Sequence, residues 1–596
     1  MSSGHRHLPW SRATAPSWVT VTLVAAAVTL SAAAARAGDV PEDVLAAERQ
    51  RVEAMARAAG TAIAIFAGEA GGGSGVLISA DGYALTNFHV VQPAGVAMKC
   101  GLSDGRVEDA VLVGLDPTGD VALIKLVGRE AFPFAELADS DEVEVGDFCF
   151  AAGNPFLLAT DLRPSISAGI VSGVHRYQFP AGTILEYADC LQVDAAINPG
   201  NSGGGLFDAR GRLIGVNGRA SFEKRGRVNV GVGYAISANQ LRNFLGFLKG
   251  GRLVDHATLG ATVATDADGR VVVSDILESS DAWRRGLRYD DEIVAVAGRP
   301  VRTVNALKNV LGTLPAGWRV PLVVRRAGRP QEIMVRLAAL HLPTELARIV
   351  AAQDQESKPE SKPEPPPQLP EAVRHLYESR PGFTNHHFNR VERTRVAERI
   401  AASASWARPD GAWVVRGRLA TGGPFRILLS AERGLIDLPT GTTVVDATGE
   451  LDGDPGPPGS GGLLAALLLW RRLLLEGPAH LGSTSYWGTQ PRDPRRLGEA
   501  RNVELGNVEL VDVLETSVAA VEARFAVAGD GVVTGIELWP TPDADPCEVR
   551  FEPHAGRPAG MPGLIEVRHG DVLFGTFQVD AITVEPVAPE AAGETS

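Results

Sequence analysis

Residues 194–217 read DAAINPGNSGGGLFDARGRLIGVN, with Ser202 near their centre and Gly200, Gly203, Gly204 and Gly205 around it. A serine hydroxyl is a poor nucleophile at neutral pH. It becomes one only with a base within hydrogen-bonding distance, and that base needs a carboxylate to hold its tautomer and to stabilise the imidazolium that forms. Glycines beside the serine allow a tight turn that points backbone N–H groups at a developing oxyanion, and the N–H groups of Gly200 and Ser202 are the natural donors. By itself the stretch reads equally well as a plain glycine-rich turn, so its meaning depends on partners elsewhere in the chain.

Those partners occur upstream. GSGVLISADGYALTNFHVV, residues 73–91, carries His89, and LDPTGDVALIKL, residues 115–126, carries Asp120. Alone, His89 would be a structural histidine and Asp120 would merely open a strand. In the chain order His, Asp, Ser they supply base, orienting carboxylate and nucleophile. Asp116 is a second carboxylate in the same segment. From Thr61 to Ser237 the texture is short Val/Ile/Leu-rich runs broken by Gly, Asp and Asn, which predicts an antiparallel all-β barrel or sandwich. Helices are expected before it, over Pro41 to Ala59, and after it, over Asn239 to Leu248.

These motifs resemble those of the HtrA (Deg) family of trypsin-like serine proteases. TNFHVV (86–91) is similar to the family's His motif, GDVALIKL (119–126) to its Asp motif and INPGNSGG (197–204) to its Ser motif. AAGNPFLLATDLRPSISAGIVSGVHR (151–176) and GVGYAIS (231–237) match as well, so the resemblance covers residues 61–250. It implies two perpendicular six-stranded β-barrels with the site in the cleft between them, His89 on the first and Ser202 on the second. It also selects Asp120 over Asp116, because the family's carboxylate directly precedes the small apolar run. Two departures stand out: Gly205 follows Gly204 where the family carries a nearby Pro, and residues 66–75 are too few for a long regulatory loop. In trypsin-like enzymes the floor of the specificity pocket lies about six residues before the nucleophile, here at Ala196. A cationic side chain would be desolvated there without a partner. Cleavage after small or medium apolar residues is therefore expected, with Asp194 as the residue that could reverse it.

LGATVATDADGRVVVSDILESSDAWRRGLRYDDEIVAVAGRPV, residues 259–301, resembles a PDZ domain of the type that follows HtrA proteases. The resemblance implies that backbone N–H groups at Leu259, Gly260 and Ala261 receive a peptide's C-terminal carboxylate. The peptide would add as a strand beside Val263, against a helix around Leu307. Tyr289-Asp290 stands where the family more often has Pro-Gly before Asp.

KPESKPEPPPQLP, residues 358–370, cannot bury a core and reads as an extended linker. Beyond it, strand-like runs such as WVVRGRL (413–419) and VLFGTFQVD (572–580) predict a β-rich unit, interrupted by the apolar stretch Leu463 to Leu475. That stretch holds Arg471 and Arg472 and is too short for a membrane span, so a buried helix is expected. Trp406, Trp413 and Trp487 read as core. His386 and His387 are adjacent, so in a strand they would face opposite sides and could not share one metal ion. No metal or other cofactor is expected.

The whole is a mainly β chain: a trypsin-like double β-barrel, a PDZ domain and a β-rich C-terminal domain. The expected boundaries are 1–37 for a signal peptide, 38–250 for the protease domain, 255–340 for the PDZ domain, 341–371 for the linker and 372–590 for the C-terminal domain. A length of 596 residues accommodates that many units. The signal peptide rests on His5, Arg6, His7 and Arg12, the apolar run Val19 to Leu30, and the small-x-small pattern Ala35-Arg36-Ala37. It implies export, to the periplasm or outside the cell. A net charge of −14 argues against general nucleic-acid binding. The four cysteines form no CxxC pair, and Cys149 and Cys190 lie in apolar runs as buried small hydrophobes. With no P-loop motif, the expectation is an ATP-independent serine endopeptidase acting on unfolded proteins through an acyl-enzyme. Peptide C-termini are its expected PDZ partners, and the resemblance implies a homo-oligomer, commonly a trimer. The alternative is a catalytically silent binding or chaperone protein that uses the protease fold as a scaffold.

Overall fold

The computed structural model describes residues 40–67, 72–154, 161–178, 184–222, 229–356, 369–407, 411–447, 451, 456–495, 497, 508–518, 521–541, 544–554 and 556–585. The signal-peptide reading of 1–37 lies outside them. A helix, Glu42–Thr61, leads into the first barrel; the chain up to Ala54 forms one unit and Met55–Ser596 another.

Six strands close the first barrel: β1 (Ala62–Phe66), β2 (Gly72–Leu77), β3 (Tyr83–Thr86), β4 (Ala97–Leu102), β5 (Val107–Asp116) and β6 (Val121–Leu126), in the order β1-β2-β3-β6-β5-β4. Six more close the second: β7 (Phe148–Gly153), β8 (Ser165–Gln178), β9 (Tyr187–Val193), β10 (Gly205–Asp208), β11 (Leu213–Phe222) and β12 (Asn229–Ser237), in the order β10-β11-β12-β9-β8-β7. Alternation explains the first core, where Ile63 and Ile65, Ala110 and Leu112, and Ala122 and Ile124 point inward at i and i+2. Residues of the opposite set, such as Val111, Val113, Val121 and Leu123, are buried too, against the rest of the body. Strands covered on both faces read as continuous apolar runs, and this is why VALIKL carries no simple polar alternation. All four cysteines are buried thiols outside any disulfide, and burial pushes the thiols of Cys100, Cys149 and Cys190 up.

The closing helix, Ala238–Lys249, buries Leu241, Phe244, Phe247 and Leu248. After it, residues 252–254 run beside the end of β5: Leu115 N–H donates to the Arg252 carbonyl (3.1 Å) and Val254 N–H to the Leu115 carbonyl (2.8 Å). The PDZ sheet then forms from strands Ala261–Thr265, Val271–Ile276, Glu292–Val296, Arg319–Arg326 and Arg329–Arg336, with Ala261–Thr265 at its edge. Its helix, Val304–Gly312, begins where the Thr303 side chain accepts from Ala306 N–H (3.0 Å). The other side of that helix lies on the second barrel, where Asn309 accepts from Asp189 N–H (2.9 Å) and donates to the His175 carbonyl (2.7 Å).

Two expectations change beyond the PDZ domain. The range 341–371, expected as linker, opens on a helix, Pro343–Glu356, because Leu346 finds a buried seat; the Pro-rich remainder, 357–368, lies outside the described residues. His386 and His387 do not sit in a strand. They open the helix His386–Ser403, since the Asn385 side chain accepts from His387 N–H (3.3 Å) and so caps its first turn. The expected β-rich unit is an eleven-stranded antiparallel sheet, whose last strand, Val572–Glu585, pairs with its first, Ala412–Leu419. The helix Leu463–Glu476 packs on it, with Trp470 stacked on Phe551 (4.5 Å) and edge-on to Trp413 (5.4 Å). Among the described residues no helix is long and apolar enough to cross a membrane.

This unit clasps the segment that joins protease to PDZ. The buried Asn389 donates to the carbonyls of Gly250 (3.0 Å) and Tyr486 (2.7 Å) and accepts from Tyr486 N–H (3.0 Å). Arg252 donates to the Tyr486 carbonyl (2.8 Å), and Trp318 of the PDZ domain donates to that of Thr489 (2.7 Å). Asn389→Ala would leave the Gly250 carbonyl and the Tyr486 N–H without this partner, while Arg252 still serves the Tyr486 carbonyl, and the expected loss is about 2–4 kcal/mol of stability, because each orphaned group costs about 1–3 kcal/mol and relaxation recovers part. Calorimetry of the purified chain and the variant measures it as a lowered thermal midpoint.

Candidate active site

His89 stands on a one-turn helix, Phe88–Val91, directly after β3. Phe88, Val90 and Val91 are buried and pin the turn, leaving the imidazole with 39% of its surface exposed. Asp120 ends the β5–β6 turn and is fully buried. Its φ is +58°, in the left-handed region that costs a non-glycine residue about 1 kcal/mol or more. The surroundings hold it there: its carbonyl accepts from Asn87 Nδ2 (2.9 Å) and Phe88 N–H (3.3 Å).

The Asp120 carboxylate accepts from three donors. His89 Nδ1 lies 2.8 Å from Oδ2, His89 N–H donates to Oδ1 at 3.1 Å, and the Tyr187 hydroxyl donates to Oδ2. A carboxylate at Nδ1 requires the Nδ1–H tautomer and leaves the Nε2 lone pair facing outward. Burial alone would lower the His89 pKa, but the Asp120 charge and hydrogen bond outweigh it and hold the ring above the ordinary imidazole value.

Ser202 comes from the second barrel on the loop before β10. Gly200 (φ +99°) and Gly203 (φ +84°) turn the chain, and a Cβ on Gly203 would stand 2.2 Å from the Ser74 carbonyl oxygen. The first barrel reaches across to brace this loop. Ser74 N–H donates to the Ser202 carbonyl (2.8 Å), and Ser74 Oγ donates to the Gly200 carbonyl (2.6 Å) while accepting from Asn154 N–H (2.8 Å). Among the described residues neither Gly200 N–H nor Ser202 N–H donates to a protein acceptor, so both remain open to an incoming oxyanion. The Ser202 hydroxyl itself donates to the Gly218 carbonyl at 3.2 Å rather than to His89.

The sequence singled out His89, Asp120 and Ser202 but not their supports. Tyr187, Ser74 and Gly218 carry no motif of their own, although Ser74 lies within the GSGV run. Asp116, the competing carboxylate, faces away from His89: both its oxygens meet His256 Nε2, at 2.8 and 3.0 Å. Ala196 is exposed, six places before Ser202, and its carbonyl accepts from Asn201 Nδ2 (3.4 Å). The Asp194 carboxylate accepts from Ile170 N–H (2.7 Å) and is thereby tied to β8. In the PDZ domain Leu259 is buried and Ala261 half-buried, while Gly260 N–H already donates to Thr258 Oγ1 (3.1 Å). A peptide carboxylate at that loop would compete with Thr258.

Comparison with known proteins agrees in both domains. Residues 73–216 match a trypsin-like peptidase domain and residues 252–325 a PDZ domain. The chain is 38% identical over 277 residues to the periplasmic serine endoprotease DegP of Escherichia coli K12, covering 44% of this chain and 56% of that one. It is 36% identical over 284 residues to a probable periplasmic serine endoprotease, DegP-like, of Chlamydia trachomatis, covering 46% and 54%. It thus spans little more than half the length of these curated relatives. Among solved structures, the HtrA-type protease AlgW with tripeptide is 31% identical, covering 49% of this chain and 98% of that one at a TM-score of 0.41.

The pairing with Asp120 has a direct spectroscopic consequence. In an NMR titration His89 should have a pKa above the ordinary value of about 6.5, and Asp120→Asn should lower it, because the charge goes while the burial stays. An unchanged value in the variant would contradict the geometry.

Proposed function

From a trypsin-like peptidase domain followed by a PDZ domain, the arrangement of the HtrA/Deg serine proteases, we propose that the chain is an exported serine endopeptidase. The single observation that carries this reading is the buried Asp120 carboxylate at His89 Nδ1, which leaves Nε2 free to act as a base beside the Ser202 loop.

In this mechanism the Ser202 hydroxyl leaves the Gly218 carbonyl for His89 Nε2 as substrate enters. Such contacts are often long or misdirected in unliganded sites and tighten in the complex. Ser202 Oγ attacks the scissile carbonyl, His89 takes its proton, and the tetrahedral oxyanion accepts from Gly200 and Ser202 N–H. His89 then protonates the leaving amine. Water, deprotonated by the same ring, hydrolyses the acyl-enzyme. Ala196 at the pocket floor, with Asp194 tied to β8, supports cleavage after small or medium apolar residues. The substrates would be unfolded proteins, whose extended segments can enter the cleft, and peptide C-termini would dock on the free edge of Ala261–Thr265. The N-terminal sequence and the periplasmic relatives support a periplasmic location.

Digestion of unfolded casein by the purified chain, beside its Ser202→Ala variant, tests the reading. Cleavage by the first and not the second is expected, and equal behaviour of the two would sink it. Mapping the cut sites should show apolar residues before the scissile bond; a dominant Arg/Lys preference would refute the pocket assignment. Ser74→Ala should lower kcat about 10- to 100-fold with little change in KM, since it frees the peptide between the two oxyanion donors. That is somewhat less than deletion of a donor, which costs about 100- to 1,000-fold.

A further inference from the structure

Two Asp–His pairs, each with a buried carboxylate, flank one short turn. Asp120, at its end, holds His89. Asp116, at its start, holds His256, and this second pair lies entirely inside the protein, with side-chain exposures of 2% for His256 and 0% for Asp116. His256 does not belong to the barrel. It sits at the root of the PDZ domain, just before the strand Ala257–Thr258, and its backbone bridges to Pro315.

The turn between the pairs has little freedom. Asp116 Oδ1 accepts from Gly119 N–H (2.8 Å), and the Thr118 carbonyl accepts from Glu186 N–H (2.8 Å). A Cβ on Gly119 would stand 2.4 Å from Asp116 Oδ2 and 2.8 Å from His256 Nε2, so the residue preceding Asp120 has to be glycine because of this pair. The His256 ring lies against Phe244 of the closing helix, with centroids 4.7 Å apart. Its Nδ1 is buried and has no partner among the described residues, so Asp116 is the ring's one polar tie. Upstream, Arg252 and Val254 are hydrogen-bonded to Leu115, the residue before Asp116, and the C-terminal unit clasps Gly250 to Arg252 from the other side.

We propose that His256 is a positioning residue for catalysis: it anchors the Asp116–Asp120 turn to the PDZ root and so sets where the Asp120 carboxylate meets His89. The proposal rests on the proteolytic reading above. Without the Nε2–H donor, Asp116 becomes a buried charge without its principal partner and has to turn toward water. The turn follows it, and Asp120, held in a left-handed conformation only by its surroundings, shifts relative to the imidazole.

His256→Leu tests this, with His256→Gln as the conservative counterpart, because the Gln side-chain amide can present an N–H near the position of Nε2. His256→Leu should lower kcat about 10- to 100-fold, the size expected for a displacement of around 1 Å in a supporting group, with KM nearly constant. Its acid limb of kcat/KM should move to lower pH, since His89 loses the charge that raises its pKa. His256→Gln should recover most of both. Should His256→Leu fail to fold, His256→Phe, which keeps a ring against Phe244 but has no N–H for Asp116, carries the same test. A second readout does not need turnover: in a Ser202→Ala background, the downfield His89 Nδ1 proton should shift or broaden with His256→Leu and return with His256→Gln. If His256→Leu lowers only the thermal midpoint, leaving kcat, the acid limb and the His89 proton as in the parent, the positioning role is overturned. If the parent fails to cleave casein, the proteolytic reading falls, and the His89 proton still decides whether His256 holds the pair.

Discussion

A carboxylate with no access to water has to be met by hydrogen-bond donors, and Asp120 organises the protease domain around that requirement. Its donors come from both barrels: the backbone and ring of His89 after β3, and the hydroxyl of Tyr187 in β9. Each barrel supplies part of the set. The barrels are therefore registered on one another at the Asp120–His89 pair, and the Ser202 loop is tied to the first barrel in turn through Ser74. The left-handed φ of Asp120 shows the direction of the constraint, since the backbone yields so that the charge can be satisfied.

The Asp116–His256 pair shows how similar chemistry serves a different end. Both pairs place a carboxylate against an imidazole nitrogen at 2.8 Å. One ring keeps a large exposed edge, so its second nitrogen can exchange protons with a substrate. The other is sealed, and its second nitrogen finds no partner among the described residues. In both rings burial opposes the charged form and the neighbouring aspartate outweighs it, raising the pKa. Proton transfer in catalysis needs access as well as a shifted pKa, and only His89 has it.

The C-terminal unit ties down the segment between protease and PDZ. Its contacts combine polar groups buried at the joint, among them Asn389 and Arg252, with apolar packing such as Trp487 edge-on to Phe247 (4.8 Å). Ion pairs such as Arg336–Glu537 (2.6 Å) extend the joint along the PDZ sheet. Buried polar contacts are directional and tolerate little sliding, so the PDZ domain is held in a defined seat on the second barrel.

The order His89, Asp120, Ser202, the glycines of the nucleophile loop, the strand-rich texture and the buried Leu463 helix were all legible along the chain. Each depends on local chemistry: what a nucleophile needs beside it, what a turn allows, what an apolar run must bury. The helical start at His386 was missed because adjacent histidines carry no periodicity and the capping role of Asn385 shows only in its geometry. Tyr187, Ser74 and His256 were missed for a different reason. Each acts on a group 67, 126 or 140 residues away in sequence, and no spacing rule relates such positions. The sequence by itself thus determined which side chains could react and which barrels carry them. Only the tertiary structure decided which groups support them, seating the Tyr187 hydroxyl on Asp120 and His256 on Asp116, because a buried charge goes to whichever donors the closed fold brings within reach.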